Sequence, residues 1–170
     1  MDSSPVFPNP TLAFSLPSLN SWQQLADQIE SVLGEKLQAF IEADQRYIVR
    51  SLDNYQTTTA ESPPGMYLRL RFWENAKEAG AEIRWVKVDY LVLALPLRRQ
   101  GLGIKIVDLV KSWITLQNSY SFITLYSRPE AAQFWQKCGF RTKDEAYQGK
   151  MLFSLVGRNE SYITPPPVIL

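Results

Sequence analysis

A glycine-containing turn between an apolar run and an amphipathic run constrains this chain more than any other stretch. The run at residues 91–95 is apolar and ends at Pro96, and residues 98–103 follow with the spacing Arg-x-x-Gly-x-Gly. Apolar residues then recur at helical spacing from Ile104 to Leu116. Because proline offers no N–H to a sheet ladder, it ends the strand. The stretch predicts a strand, a turn and a helix.

The start of this helix favours an anion. The first backbone N–H groups of a helix lack acceptors within it, and the helix dipole adds partial positive charge there. Gly101 and Gly103 remove side chains where a ligand would approach the backbone, and Arg98, Arg99 and Lys105 add formal charge. Neither a dinucleotide fingerprint nor a nucleoside-triphosphatase loop has this spacing. The stretch predicts a pyrophosphate site, against the alternative of a turn that merely opens a buried helix.

A second segment adds to the first. Phe122–Tyr126 is a short β-branched and aromatic run that predicts a buried strand, and Pro129 then begins a helix. Apolar residues of that helix share one face, and Gly139 ends it. Cys138 lies on this face, where core packing is favoured over a catalytic thiolate because the chain contains no histidine to activate it.

Residues 98–103 resemble the acyl-coenzyme A pyrophosphate loop of the GNAT superfamily of N-acetyltransferases, and residues 131–140 (AAQFWQKCGF) resemble its second motif. Both occur in the family's order and at its usual separation. The resemblance extends from Glu82 to about Leu155. It implies an α/β (α+β) fold in which a mixed, mostly antiparallel central sheet is flanked by helices and splayed at its long central strand.

The resemblance also implies acetyl-CoA as the cosubstrate and no metal. Pantetheine is expected beside the backbone of the strand end, and the pyrophosphate over the amides of the turn. The implied acetyl-CoA contacts are Leu93, Ala94, Leu95, Arg98, Arg99, Gln100, Gly101, Leu102, Gly103, Ile104, Arg128 and Trp135.

The catalytic base is less apparent. In many relatives the general base falls at the register of Val88, which cannot accept a proton. Asp89 and Tyr90 are the nearby candidates, because a bulge in the strand would turn either into the cleft. Asp89 is also interpretable as an ordinary solvated strand carboxylate. Glu82 lies some seven residues earlier, which at roughly 3.3 Å per residue is over 20 Å from the splay.

The acid is equally open. Many relatives have a tyrosine as the general acid where this chain has Trp135. An indole N–H has no useful acidity, so Trp135 is expected to pack against pantetheine instead. Tyr126 is the nearest phenol in sequence. A water-relayed base with a thiolate leaving group is chemically adequate.

Composition limits the partners and the compartment. Eighteen Lys and Arg residues against seventeen Asp and Glu give a net charge of +1, which argues against a partner bound by general phosphate neutralisation. We therefore expect acetyl-CoA and an amine acceptor as partners, no nucleic acid and no membrane, with a homodimer left open. One cysteine and no histidine exclude a zinc site of the Cys/His kind. The expected location is cytoplasmic.

The remaining chain is expected to form one domain with tails. Residues 1–20 are expected to be extended, residues 21–156 to form the acetyltransferase domain, and residues 157–170 to be an apolar tail. A helical stripe runs from Ser21 to about Ala43, with Gly34 as a break. Strands are predicted at 46–52, 66–73 and 81–95, the last with a bulge near Asp89 and Tyr90.

These features favour an N-acetyltransferase that moves acetyl directly to a primary amine of a small molecule or protein. The alternative is an acyl-CoA-binding sensor or assembly module with lapsed catalytic positions, for which Val88 and Trp135 are the arguments. A purely structural domain is opposed by the glycine turn. No motif identifies the acceptor.

Overall fold

The computed structural model describes residues 16–50, 66–75, 83–93, 98, 100–117, 120–142 and 149–155. Three helices and a 3₁₀ turn accompany seven strands within these ranges. In chain order the elements are α1 (Leu19–Leu33), β1 (Gln38–Glu42), β2 (Gln45–Val49), β3 (Tyr67–Asn75), β4 (Ile83–Val92), α2 (Leu102–Gln117), β5 (Phe122–Tyr126), the 3₁₀ turn Pro129–Ala131, α3 (Ala132–Lys137), β6 (Arg141–Thr142) and β7 (Lys150–Ser154).

The strands form one sheet in the order β1-β2-β3-β4-β5-β7-β6. β4 and β5 are parallel because α2 crosses over between them, and the other neighbouring strands are antiparallel. This confirms the predicted mixed, mostly antiparallel sheet flanked by helices.

Helix α1 begins and ends at sequence signals: it starts two residues earlier than predicted and ends at Gly34, the predicted break. Ser18 caps it by accepting a hydrogen bond from the Ser21 N–H at 3.1 Å, so it includes two residues of the segment predicted to be extended. Gly34, with φ of 73°, ends it in the left-handed conformation.

The predicted continuation of that helix to Ala43 is wrong, because residues 38–42 form strand β1. β1 and β2 pair through a two-residue turn in which Ala43 has φ of 52°. Phe40 stacks on Tyr47 across the pair, with ring centroids 4.6 Å apart. The apolar spacing in this stretch fits both periods, and cross-strand contacts decide for the strand.

Strand β4 contains the predicted bulge. Its pairing with β3 shifts between Arg69 and Leu70: Arg69 pairs with Tyr90, whereas Leu70 pairs with Val88. Asp89 is therefore the extra residue, and Asp89 and Tyr90 together oppose Arg69. β4 extends from Ile83 to Val92 and ends before Leu93, whereas residues 81, 82, 94 and 95 of the predicted strand lie outside the described residues.

The two faces of the sheet differ. The helix face packs against α1, α2 and α3 and holds the main core, in which Trp22 and Trp113 meet edge to face at 5.2 Å. The opposite face, here called the aromatic face, carries Tyr47 and Tyr67 near the bulge. At its other end, stacked Trp73, Trp85 and Phe122 are 6.0 and 5.8 Å apart.

The predicted domain limits stay predictions, because residues 1–15, most of the loop between β2 and β3, and residues 156–170 lie outside the described ranges. None of the helices that the structure describes is long and apolar enough to cross a membrane.

Candidate functional site

β4 and β5 separate next to the bulge. They pair from Trp85 with Phe122 to Val88 with Leu125, and beyond that point β4 stays paired with β3 while Tyr126 of β5 pairs with β7. The extra residue Asp89 comes directly after the last paired residue of β4. The sheet is thus splayed at its central strand, as expected.

A small apolar pocket opens on the helix face beside this separation. Val88 and Leu91, on either side of the bulge, both line it. The complete lining is Leu68, Val88, Leu91, Val107, Val110, Lys111, Ile123, Trp135 and Phe140. Trp135 is only 8% exposed and meets Phe134 and Phe140 edge to face at 5.0 and 5.3 Å. Its indole thus packs in the core at the edge of the pocket, and the expected contact with pantetheine stays a prediction.

The glycine turn opens α2 at the same end of the sheet. Gly101 has φ of 75°, and its carbonyl accepts from the Lys105 N–H at 3.3 Å, so the N–H groups of the intervening residues start the helix without helical acceptors. A Cβ added at Gly101 would meet no atom within 4 Å. The Arg98 Nε–H donates to the Leu93 carbonyl at 2.6 Å, which ties the turn to the end of β4.

Gly103 also has a packing reason to be glycine, while the ligand approach that its spacing suggested stays a prediction. A Cβ on Gly103 would lie 2.9 Å from Cε1 of Phe134 and 3.8 Å from Cδ1 of Leu93. The missing side chain therefore lets α2 pack against the Phe134 ring of α3. The two sequence segments that resemble one family meet at this contact.

We predict that Gly103→Ala is destabilising in the wild-type background and neutral or stabilising beside Phe134→Leu. Alanine gains up to about 1 kcal/mol of helix propensity, whereas overpacking costs about 1–3 kcal/mol. Chemical denaturation of the two single variants and the double variant measures the coupling free energy. An equal effect of Gly103→Ala in both backgrounds would contradict the contact.

Asp89 lies on the aromatic face among three cations. Its Oδ2 accepts a hydrogen bond from Arg71 Nε at 3.1 Å and lies 3.3 Å from Arg69 Nε, while Lys87 Nζ is 3.6 Å from Oδ1. Arg69 Nε is within ion-pair distance but makes no aligned hydrogen bond. We call Arg69, Arg71 and Lys87 the basic cluster.

The sheet register explains why the cluster converges on Asp89. Arg69 pairs with Tyr90 in one cross-strand row, and Arg71 pairs with Lys87 in the next. The bulge sets Asp89 between the two rows, within reach of all three cations. Only 5% of the Asp89 side chain is exposed, against 22–29% for the three cations.

Arg69 is also held between aromatic rings. Its guanidinium carbon is 4.7 Å from the Tyr90 ring centroid and 5.9 Å from that of Tyr47. Burial acts to lower the pKa of Arg69, but the Asp89 carboxylate and the Tyr47 hydroxyl raise it above its usual value. Tyr90 meets Tyr67 edge to face at 5.6 Å and is 42% exposed. The two predicted proton-handling residues therefore differ, since Tyr90 faces solvent and Asp89 does not.

Cys138 is a buried core residue. Burial raises the pKa of its thiol to about 11, so the sulfur is protonated at neutral pH. Its backbone carbonyl accepts from Lys111 Nζ at 2.6 Å, which joins α2 to the end of α3. These contacts agree with packing rather than nucleophilic catalysis.

The other predicted acetyl-CoA contacts lie around the turn or beyond the described residues. Gln100 and Ile104 are exposed, Leu102 packs against the core, and Leu93 is buried. Arg128 is exposed after β5, where its carbonyl accepts from the Ala131 N–H at 2.9 Å. Ala94, Leu95 and Arg99 lie outside the described residues.

The sequence reasoning missed the basic cluster. A signal was present, because β3 carries arginine at alternate positions 69 and 71, and β4 carries lysine and aspartate at 87 and 89. Alternate residues of a strand share one face. That these side chains meet at Asp89 also depends on the register between β3 and β4, which could not be predicted from the sequence alone.

Comparison with solved structures identifies the fold. A KacTA–DNA complex aligns with a TM-score of 0.52 at 14% identity, covering 68% of this chain and 70% of that one. GCN5 from Tetrahymena aligns with a TM-score of 0.47 at 16% identity, covering 91% of this chain and 92% of that one. The third structure is a tyrosine-to-phenylalanine mutant of the toxin AtaT, bound to the C-terminus of the antitoxin AtaR and acetyl-CoA. It aligns with a TM-score of 0.45 at 18% identity, covering 65% of this chain and 67% of that one. Neither a family model nor a curated protein matches the sequence.

The fold is GNAT-like. The splayed central strand and the glycine turn at the start of α2 are the features that the resemblance led us to expect in it.

The predicted absence of nucleic-acid partners is wrong. KacTA, which shares the fold, was solved in a complex with DNA. The prediction depended on a net charge of +1, but total charge says little about local charge. Here three cations gather around one carboxylate on a single face.

Proposed function

We propose that the protein is an N-acetyltransferase that transfers the acetyl group of acetyl-CoA directly to a primary amine. The observation that carries the proposal is a conjunction at one end of the sheet. β4 separates from β5 after Val88, and Val88 and Leu91 of the same strand line the apolar pocket. The hydrogen bond from Arg98 to the Leu93 carbonyl joins the glycine turn to the end of that strand. These features suit acetyl-CoA, whose pyrophosphate would lie at the glycine turn and whose thioester would reach the strand separation.

The glycine turn fits a pyrophosphate. Open space above Gly101 and the first N–H groups of α2 provide room and donors for an anion. Arg98 is exposed and adds positive charge at the turn. Its hydrogen bond to the Leu93 carbonyl competes with a pantetheine amide for that acceptor, so binding there requires Arg98 to turn away.

Acetyl-CoA supplies an activated acyl group, so the protein needs no covalent nucleophile. The amine nitrogen attacks the thioester carbonyl, the C–S bond breaks, and the sulfur leaves as a thiolate that takes up a proton from solvent. The nitrogen loses one proton as the amide forms. The chain must orient the amine and guide that proton.

We assign the proton path to Tyr90, working through water, and an anchoring role to Asp89. Tyr90 is exposed beside the strand separation, and Asp89 comes next to it in the bulge. Both carboxylate oxygens of Asp89 lie within 3.6 Å of a cation, and only 5% of the side chain is exposed, so the carboxylate is engaged with the basic cluster rather than turned toward an incoming amine. Tyr90→Phe is expected to lower kcat and leave acetyl-CoA affinity unchanged.

An acyl-CoA-binding module without turnover is the second candidate. The engagement of Asp89 by the basic cluster favours it, together with valine at residue 88 and tryptophan at residue 135. Such a module would bind acetyl-CoA with an intact turn and release no free CoA with any amine.

Gly101→Leu tests the binding step. The side chain would fill the open space at the turn, so acetyl-CoA affinity should fall at least ~10-fold, which corresponds to about 1.4 kcal/mol. Calorimetry measures affinity, and thiol detection of released CoA with an amine panel measures turnover. Unchanged affinity would refute the site, whereas binding without turnover would favour the second candidate.

Gly34→Leu is the matched control. Gly34 also has positive φ, 73° against 75° for Gly101, and its added Cβ would likewise meet nothing within 4 Å. Each substitution strains a left-handed residue by roughly 1–2 kcal/mol. The two variants should lose similar amounts of stability, and only Gly101→Leu should lower the affinity for acetyl-CoA.

A further inference from the structure

We propose that the acceptor carries an anionic group of its own, a carboxylate or a phosphate, that the basic cluster recognises. This inference rests on the proposed acetyl transfer and narrows its substrate to a primary amine with an acid group on the same small molecule. The amine would lie at Tyr90 beside the strand separation, and the anion over Arg71 and Lys87.

The charge balance of the cluster supports an external anion. Three cations share one carboxylate in the described part of the chain, which leaves a formal surplus of two positive charges. The carboxylate is turned inward and the cations outward, since their exposed fractions are 5% and 22–29%. Asp89 therefore fixes the cations from below, while their solvent-facing sides stay available to a ligand.

The cluster is also preorganised. Arg71 is fixed by its hydrogen bond to Asp89, and its guanidinium carbon lies 5.9 Å from the Trp73 ring centroid. Lys87 Nζ lies 5.2 Å from the ring centroid of Tyr126, across the boundary between β4 and β5. Cations that are already positioned lose less side-chain entropy when an anion binds. Arginine adds a planar fork that matches carboxylate and phosphate oxygens.

The register sets the distance between amine and anion. Arg71 and Lys87 occupy the cross-strand row before that of Arg69 and Tyr90. Rows on one face are two residues apart, which at about 3.3 Å per residue is roughly 7 Å along the strand. The preferred acceptors should therefore hold three or four carbons between amine and acid, rather than the single carbon of an α-amino acid.

Matched acceptors test this in the CoA-release assay at physiological salt. The probes are 4-aminobutyrate, 3-aminopropylphosphonate, glycine and the neutral 1-butylamine. We expect kcat/KM to be at least ~10-fold higher for the first two than for 1-butylamine, as one charge-assisted contact of about 1.5–3 kcal/mol implies. Preference between carboxylate and phosphonate identifies the anion.

Arg71→Gln should reduce that advantage to about threefold or less, because glutamine keeps a hydrogen-bonding group without charge. Lys36→Gln removes an exposed positive charge on the segment before β1 and should leave the advantage unchanged. Equal rates for charged and neutral amines in the wild type would overturn the inference and leave acetyl transfer intact.

A binding arm keeps the test independent of turnover. Calorimetry compares the binding of the product-like 4-acetamidobutyrate with that of neutral N-butylacetamide. Tighter binding of 4-acetamidobutyrate, lost in Arg71→Gln, supports the anion subsite. Equal binding overturns it even if acetyl transfer fails. A single-stranded oligonucleotide that binds through Arg71 while 4-acetamidobutyrate does not would also overturn it, in favour of a nucleic-acid surface.

Discussion

Trp135→Ala is expected to lower the free energy of unfolding by about 3–5 kcal/mol, because the indole is almost fully buried and its removal leaves a cavity. For a domain of this size that corresponds to a fall in Tm of roughly 6–20 °C. The lost ring also borders the pocket between Val88 and Phe140. Trp135→Ala should therefore also lower the affinity for acetyl-CoA, whereas Trp135→Phe should keep most of the stability and most of the affinity.

Trp113→Ala separates the two effects. Trp113 is 5% exposed on the same helix face, but its ring packs on Trp22 and its Nε1–H donates to the Ser21 carbonyl at 3.0 Å, away from the pocket. Both alanine variants should lose comparable stability by chemical denaturation. If calorimetry below the transition found equal affinity for acetyl-CoA in both, Trp135 would be a core residue without a part in the site.

Local signals explain which parts of the fold were predictable. Strand β5 was predicted with its observed limits because a β-branched and aromatic run is bounded by turn residues. The bulge at Asp89 was predictable because the strand pattern loses its two-residue period there. Strand β1 was not, since its apolar residues fit a helical spacing equally well and the Phe40–Tyr47 contact depends on a partner in the next strand.

The candidate site divides in the same way. Gly101 and the start of α2 follow from neighbours in sequence, so the turn was recognisable. The role of Gly103 in ligand approach stays a prediction, whereas its packing role was not recognisable because its close neighbour Phe134 belongs to another helix. The basic cluster joins two strands through a register that the bulge itself displaces, and the exposed or inward orientation of each charge depends on packing.

Asp89→Asn is expected to destabilise the protein by about 2–4 kcal/mol. Removing one partner of a buried ion pair typically costs about 3–5 kcal/mol, and the lower range allows for the partial exposure of the three cations. Arg69 and Arg71 would lose the Oδ2 charge that both approach, and an amide cannot neutralise them.

Asp108→Asn is the control for a surface charge. Asp108 pairs with Lys111 at 3.6 Å, but its side chain is 62% exposed, so we expect a loss of about 0–1 kcal/mol. Urea denaturation of both variants with their m-values measures the difference. Similar small losses would mean that the basic cluster does not depend on Asp89.

The same variant distinguishes an anchoring carboxylate from a general base. If Asp89 holds the basic cluster, Asp89→Asn should raise KM for an anionic acceptor more than it lowers kcat, and the acidic limb of the pH–rate profile should persist. Tyr90→Phe should act mainly on kcat, since Tyr90 is exposed two residues beyond the last pair between β4 and β5. If Asp89→Asn instead abolished kcat and the acidic limb at unchanged stability, the carboxylate would be the base in spite of its cations.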